Sequence, residues 1–428
     1  MIARISPSRI TGTINAPSSK SSMQRACALA LISEGTTIIA NAGKSNDELA
    51  ALDIISKLGA TVDTLRSEII VTSSNHIFLS PDKKKHTIVS CGESGLSLRM
   101  FVPVATLFNH DITFTGKGSI LTRPINFFDE VLPKLKVSVR SNDGRLPLTI
   151  KGPLIPTDIV VDGSLSSQFL TGLLIAYAKA CTAPVSIKVN NLSSKPYISL
   201  TLDILKQFGF DIENENYEKF TILPRKAVSG HSIKYTVEGD WSNAAFLLVA
   251  GAIGGEVTVK GADMNSTQGD KKIISALESS GAFVKAEKNA ITVKSRQLSA
   301  FNFDATHCPD LFPPLVALAA YCKGTSVIKG VHRLLHKESN RGLTLKKEFA
   351  KMNVAIELLD DDMTIKGAKE IRGAKVTSHN DHRIAMACAV AALGAKGITE
   401  IAGAEAVKKS YPQFFDDIKM LKASLQVL

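Results

Sequence analysis

The sequence predicts an α/β protein made of six copies of one unit, three in each of two domains. Three observations carry that prediction. Six segments open on small or polar residues and run into an Ala/Leu/Gly-rich apolar stretch. A β-branched, strand-like run follows each of them. The copies also recur at a nearly constant interval in a chain of 428 residues, and self-similarity at a fixed period marks a repeated supersecondary unit.

The six segments are SSKSSMQRACALALI, ESGLSLRMFVPVATL, SSQFLTGLLIAYA, GDWSNAAFLLVAGAI, CPDLFPPLVALAAY and NDHRIAMACAVAAL. With Ser21, Ser94, Ser166, Asp240, Asp310 and Asp381 as anchors, the spacings are 73, 72, 74, 70 and 71. Small apolar residues on nearly every face predict six buried helices. Next comes a turn and a strand: GTTIIANA, HDITFTGK, APVSIKVN, GEVTVKG, GTSVIKG and GITEIAG. A second, amphipathic helix is expected over 46–58, 125–135, 199–208, 271–280, 342–351 and 414–421. Leu49, Leu52, Ile55 and Leu58 illustrate its three-residue step. Two short strands joined by a turn close the unit, as in VSVRSNDGRLPLTIKG and AFVKAEKNAITVKS. The sixth unit is expected to stop after its second helix. Residues 2–15, which belong to no complete unit, are expected to supply its missing strands. One domain then comprises 1–19 plus 238–428 and the other 20–237, with the active site in the cleft between them.

Composition narrows the functional classes. Lys and Arg number 51 and Asp and Glu 40, a formal charge of +11, with 44% hydrophobic and 21% charged residues. That balance excludes a disordered chain or a fibrous repeat. The positive charge suggests an anionic partner: nucleic acid, a membrane surface or small polyanions. Only 6% of residues are aromatic, the cations are dispersed, and no nucleic-acid-binding motif is recognised, so nucleic acid is disfavoured. No signal peptide is read, and no apolar stretch reaches the ~20 residues that span a bilayer. Six scattered cysteines without a CxxC pair signal neither a zinc site nor a disulfide framework. A reduced, cytoplasmic protein without a membrane partner is expected. Lys83, Lys84 and Lys85 read as a solvated turn.

Polar residues gather where the buried helices begin, and helix N-termini suit bound anions. Lys20, Arg25, Arg99 and Arg383 lie at such starts, and Arg123, Lys337, Arg341 and Lys409 in neighbouring turns. Eight cations at equivalent points of the repeats, with Ser21, Ser166, Ser167 and Gln168, fit a small substrate carrying phosphates and carboxylates. Ser19, Ser21 and Ser166 also read as N-caps, as do Asp240, Asp310 and Asp381. His382 reads as a satisfied structural histidine, and Cys91 and Cys308 as structural thiols.

At this point SSKSSMQRA, SGLSLR, LTRPI, GSLSSQFLTGLL, SKPYISLTLDIL, HKESNR, HNDHRIAMA and KKSYPQFF together resemble the EPSP synthase family of enolpyruvyl transferases across essentially the whole chain. The resemblance implies a two-domain inside-out α/β barrel of six βαβαββ repeats, three per domain. It also implies transfer of the enolpyruvyl group of phosphoenolpyruvate to the 5-hydroxyl of shikimate 3-phosphate, through a tetrahedral intermediate. No metal or organic cofactor is implied, and the chain is expected to be a monomer.

By the same resemblance, Asp310 receives the hydroxyl proton, and Glu338 and Lys20 exchange protons at C3 of phosphoenolpyruvate. Lys20, Ser21, Arg25, Ser166, Ser167, Gln168, Ser194, Tyr197, Asp310 and Lys337 bind shikimate 3-phosphate. Lys20, Gly95, Arg123, Gln168, Arg341, Arg383 and Lys409 bind phosphoenolpyruvate. Asp310 is expected to be ionised in its cationic surroundings. The chain departs from the family pattern at Glu93 and Met100 in ESGLSLRM, at Ser18 in Ser18-Ser19-Lys20 where the family has Gly-Ser-Lys, and at Arg333 four residues before Lys337. The sister enzyme that uses UDP-N-acetylglucosamine carries a reactive Cys in a mobile loop, and here the region 116–123 has none.

Overall fold

The computed structural model describes residues 1–65, 68–79, 86–225 and 232–428; the lysine turn at Lys83 to Lys85 lies outside them. The chain divides into two compact units, a continuous one of Ser18–Val237 and a discontinuous one of Met1–Pro17 with Glu238–Leu428.

The continuous unit is built on helices α1 (Lys20–Ile32), α2 (Gly95–Ala105) and α3 (Ser167–Ala180). The discontinuous unit is built on α4 (Trp241–Gly254), α5 (Phe312–Ala320) and α6 (His382–Ala392). Within each unit the three helices pack on one another. Every residue of α2, α5 and α6 is buried, as helices apolar on all faces require. Arg99, His382 and Arg383 are the basic side chains those helices bury, and each lies near a helix start.

Side chains cap five of the six. Ser19 Oγ accepts from Ser22 N (3.3 Å), Ser94 from Ser97 N (3.1 Å) and Ser166 from Gln168 N (3.3 Å). Asp240 accepts from Asn243 N (2.8 Å) and Asp381 from Arg383 N (3.0 Å). Two cap expectations are corrected. Ser21 lies inside α1, one residue past its start. Asp310 sits in a 3-10 turn, Pro309–Leu311, that feeds α5. Pro313 stands three residues on, where a cap would look for an N–H, and proline has none.

The amphipathic helices run over Asn46–Lys57, Asn126–Val131, Lys195–Gln207, Ile273–Ser279, Arg341–Lys351 and Phe414–Met420. Two are shorter than expected because 3-10 turns, Leu132–Leu135 and Gly269–Lys272, take up part of the stretch. The third starts four residues earlier than its periodicity suggests, since Pro196 is tolerated in a first turn.

Among the described residues, six four-stranded sheets cover the helices. In four of them the strand leading into a buried helix lies parallel to the strand leaving it. In the third sheet Ile159–Asp162 runs parallel to Val185–Asn190, which pairs antiparallel with Lys219–Ile222. Where the chain passes between units, the lead strands are exchanged. Ile10–Asn15, just ahead of α1, pairs with Gly255–Lys260 beyond α4. Ile233–Thr236, just ahead of α4, pairs with Gly35–Ala40 beyond α1.

The sixth sheet runs Lys375–Thr377, Thr399–Ala402, Ile2–Ile5, Leu425–Val427. The sixth unit therefore does not end at its second helix. Its own last residues give one strand and the N-terminus gives the other, held by Ala3 opposite Val427 and Ile5 opposite Leu425.

Gly172 allows α3 to lie against α2: a Cβ there would meet the Met100 carbonyl oxygen at 2.6 Å. Gly172→Ala should therefore lower the denaturation midpoint, by about 1–3 kcal/mol of stability, although helix propensity alone favours Ala by about 1 kcal/mol. Chemical denaturation decides the sign.

Candidate active site

In the discontinuous unit the expected site residues converge on one buried guanidinium. Arg341, 1% exposed, opens the helix Arg341–Lys351. Its Nη1 donates to Asp310 Oδ1 (2.8 Å), its Nε to Asp381 Oδ2 (2.8 Å) and its Nη2 to Asp381 Oδ1 (3.3 Å) and to Glu338. Ser339 Oγ adds a bond to Asp381 Oδ2 (3.0 Å). Asp310 also receives Lys337 Nζ (3.1 Å) and Arg383 Nη2 (3.0 Å). Lys409 Nζ joins the edge of this network through the carbonyl of Asn380 (2.5 Å).

The charges explain the titration. Burial disfavours the Asp310 carboxylate, but Arg383, Lys337 and Arg341 outweigh it and hold the group well below the ordinary carboxylate range, against an upward push from Glu338. Asp310 is thus ionised, as its surroundings lead one to expect. Burial lowers the Lys337 ammonium, and Asp310 opposes that. Asp270, fully buried and bonded by Ser242 Oγ, is pushed up to about 6 by burial and by Asp310, with Arg383 pulling down. Sequence reasoning missed Asp270, which lies in no repeat motif.

In the continuous unit Lys20, the first residue of α1, pairs with Asp47 Oδ2 (2.9 Å). Asp47 was also missed; its signal was the Ser45–Glu48 capping box, which fixes where that helix begins. Arg25 is buried and donates to Thr201 Oγ1 (2.8 Å), to the carbonyls of Ser21 (2.8 Å) and Tyr197 (3.2 Å), and to Thr171 Oγ1 (3.5 Å). Ser194, buried and left-handed at φ 57°, precedes the helix that carries Tyr197.

A third group forms around Gly95. A Cβ there would lie 2.7 Å from Arg123 Nη1 and 3.0 Å from Arg99 Nη1, so both guanidiniums rest against that glycine. Gln168 Oε1 accepts from Arg99 (3.1 Å), and Ser119 Oγ from Arg123 (3.2 Å). Ser166 and Ser167 stand at the start of α3 beside Gln168. The Glu93 carboxylate lies against Gly118, at the start of the turn that leads to Arg123. The expected residues of this unit thus form three neighbourhoods, around Lys20, Arg25 and Gly95.

Glu338, Asp381 and His382 bring ligand atoms within 4.8 Å of one another, a spacing that could hold a metal ion. Arg341 already bonds both carboxylates, and its positive charge opposes a cation there. The six cysteines are buried and free. Burial pushes the Cys91 and Cys308 thiols up, so neither is a ready nucleophile. Among the described residues no helix is long and apolar enough to cross a membrane.

Comparison with known proteins gives one family. The profile described as EPSP synthase (3-phosphoshikimate 1-carboxyvinyltransferase) matches residues 5–418. A protein of that enzyme name from Clostridium perfringens (strain SM101 / Type A) is 35% identical over 424 residues, covering 99% of this chain and 98% of the relative. One from Clostridium novyi (strain NT) is 36% identical over 420 residues, 97% of this chain and 96% of the relative. Among solved structures, EPSP synthase from Acinetobacter baumannii aligns with a TM-score of 0.81 at 24% identity, over 100% of both chains. The enolpyruvyl transferase NikO from Streptomyces tendae aligns at 0.79 and 17% identity, over 99% of this chain and 98% of the other.

Asp310 has a folded pKa below its ordinary 3.8. Its ion pairs therefore stabilise the fold fully above about pH 4 and fade as the pH falls through the lowered folded value. Asp310→Asn should be less stable than the parent at pH 7, and the gap should narrow below pH 4. Urea titrations at a series of pH values would measure it.

Proposed function

The chain belongs to the EPSP synthase (3-phosphoshikimate 1-carboxyvinyltransferase) family, and from that membership we infer that it catalyses this transfer. The carboxyvinyl group of phosphoenolpyruvate moves to the 5-hydroxyl of shikimate 3-phosphate, and phosphate leaves. The observation that carries the assignment is about 35% identity along the full length of relatives with that name.

We propose the following division of work. The Arg25 neighbourhood, with Ser21, Ser166, Ser167, Gln168, Ser194 and Tyr197, takes shikimate 3-phosphate, and Lys337 reaches the same substrate. Gly95, Arg123, Gln168, Arg341, Arg383 and Lys409 take phosphoenolpyruvate. Asp310 accepts the hydroxyl proton. A carboxylate held by three cations is a weak base. Anionic substrates compete for Arg383 and Lys337, which raises the proton affinity of Asp310 once the hydroxyl is in place. Lys20, which pairs with Asp47, donates at C3, with Glu338 as its counterpart in the elimination. Glu338 is held by Arg341. As finer points of the same proposal, the enzyme acts as a cytoplasmic monomer on these two small molecules, with no nucleic acid or membrane.

The sister reaction on UDP-N-acetylglucosamine is disfavoured by the absence of cysteine from 116–123 and by the burial of all six cysteines. Phosphate release should follow phosphoenolpyruvate with shikimate 3-phosphate, and not phosphoenolpyruvate with UDP-N-acetylglucosamine. The reverse pattern overturns the assignment. Asp310→Ala and Lys20→Ala should each lower kcat by about 10²–10⁴ with an unchanged circular dichroism spectrum. Near-parental turnover in either variant removes the role given to that residue.

A further inference from the structure

The helix Arg341–Lys351 grips the segment ahead of α6 at two places. At its start Arg341 holds Asp381. Two turns on, the fully buried carboxylate of Glu348 holds the other end. It accepts from the backbone N–H of Thr377 (2.9 Å), from His379 Nε2 (2.8 Å) and from Lys351 Nζ (2.6 Å). Between the grips the backbone is left-handed at two consecutive residues, His379 (φ 51°) and Asn380 (φ 57°). Such a conformation costs a residue other than glycine roughly 1–2 kcal/mol, so the surroundings must hold it.

That turn reaches three groups of the candidate site. The carbonyl of Asn380 accepts from Lys409 Nζ (2.5 Å). Asp381 follows at once and caps α6, accepting from the backbone N–H of Arg383 (3.0 Å). Arg383 in turn reaches Asp310 (3.0 Å). His379 is about a third exposed and lies in none of the contacts given above to substrate-binding side chains.

We propose that His379 and Glu348 are positioning residues for the donor substrate: their hydrogen bond locks the left-handed turn that sets Lys409, Asp381 and Arg383. The inference rests on the reading that Arg383 and Lys409 clamp phosphoenolpyruvate. Losing the His379 bond leaves Arg341 on Asp381, so the fold persists, while the turn and the two cations it sets gain freedom. Small misplacements of binding groups are costly to reaction rates and affinities.

Steady-state kinetics with the full chain test this. His379→Ala should raise KM for phosphoenolpyruvate about tenfold and leave KM for shikimate 3-phosphate within about twofold, the split expected of lost donor binding. His379→Gln, whose amide can still donate to Glu348, should recover most of the loss. Lys351→Ala, which removes a partner of Glu348 outside the turn, should change neither constant. Equal effects on both KM values, no effect on either, or a loss that Gln does not restore would overturn the proposal. Arg383→Gln in the same assay separates the two claims. An unchanged KM for phosphoenolpyruvate there refutes the donor clamp itself, whereas failure of the His379 series alone refutes only the positioning role.

Discussion

The discontinuous unit depends on one buried charge. Arg341 is 1% exposed and is met by Asp310, Asp381 and Glu338. A guanidinium taken out of water is expensive unless its donors are all used and its charge is answered. Here the planar fork answers both needs, since Nε, Nη1 and Nη2 each reach a carboxylate. The consequence is geometric. Asp310 stands ahead of α5, Asp381 begins α6, and Glu338 precedes the helix that Arg341 itself opens. One side chain ties the starts of three helices and fixes two candidate proton-transfer carboxylates. The arrangement is self-neutralising, which suits a site that must hold cations ready for anionic substrates without an empty positive pocket.

The continuous unit solves a related problem in another way. Arg25 is equally buried, but its guanidinium donates to hydroxyls and carbonyls of α3, of the helix carrying Tyr197 and of its own turn. Those bonds orient the group through hydroxyl and carbonyl dipoles. Arg99 and Arg123 rest on the same glycine, where a side chain would have forced them apart. Each unit thus uses the start of its buried helices as the polar end of an otherwise apolar bundle, which is what the repeated sequence pattern prescribes.

Much of this was legible in the residues. The ~71-residue interval gave six buried helices in two sets, and the cations at repeat starts pointed to small anions. What escaped was partner choice across the chain. Ile10–Asn15 lies just ahead of α1 and Ile233–Thr236 just ahead of α4, but no local signal says that the first pairs beyond α4 and the second beyond α1. Leu425–Val427 is too short to stand out, and it exists because Ile2–Ile5 pairs with it. Asp310 looked like a helix cap by analogy with Asp240 and Asp381. The proline at 313 removes the donor a cap needs, and the carboxylate is released to the cations instead. The Lys20–Asp47 and His379–Glu348 pairs join residues on different elements, and such pairings leave no periodic trace.

The central claim is that Arg341 and its carboxylates act as one energetic unit. A double-mutant cycle on unfolding free energy, with Arg341→Gln, Asp381→Asn and the pair, tests it most directly. The account predicts strong coupling, about 2 kcal/mol or more, because Arg341→Gln leaves the buried Asp381 carboxylate without its guanidinium and Asp381→Asn takes from Arg341 the partner of its Nε, losses that the double change does not add. Additive effects, within about 0.5 kcal/mol, would contradict it.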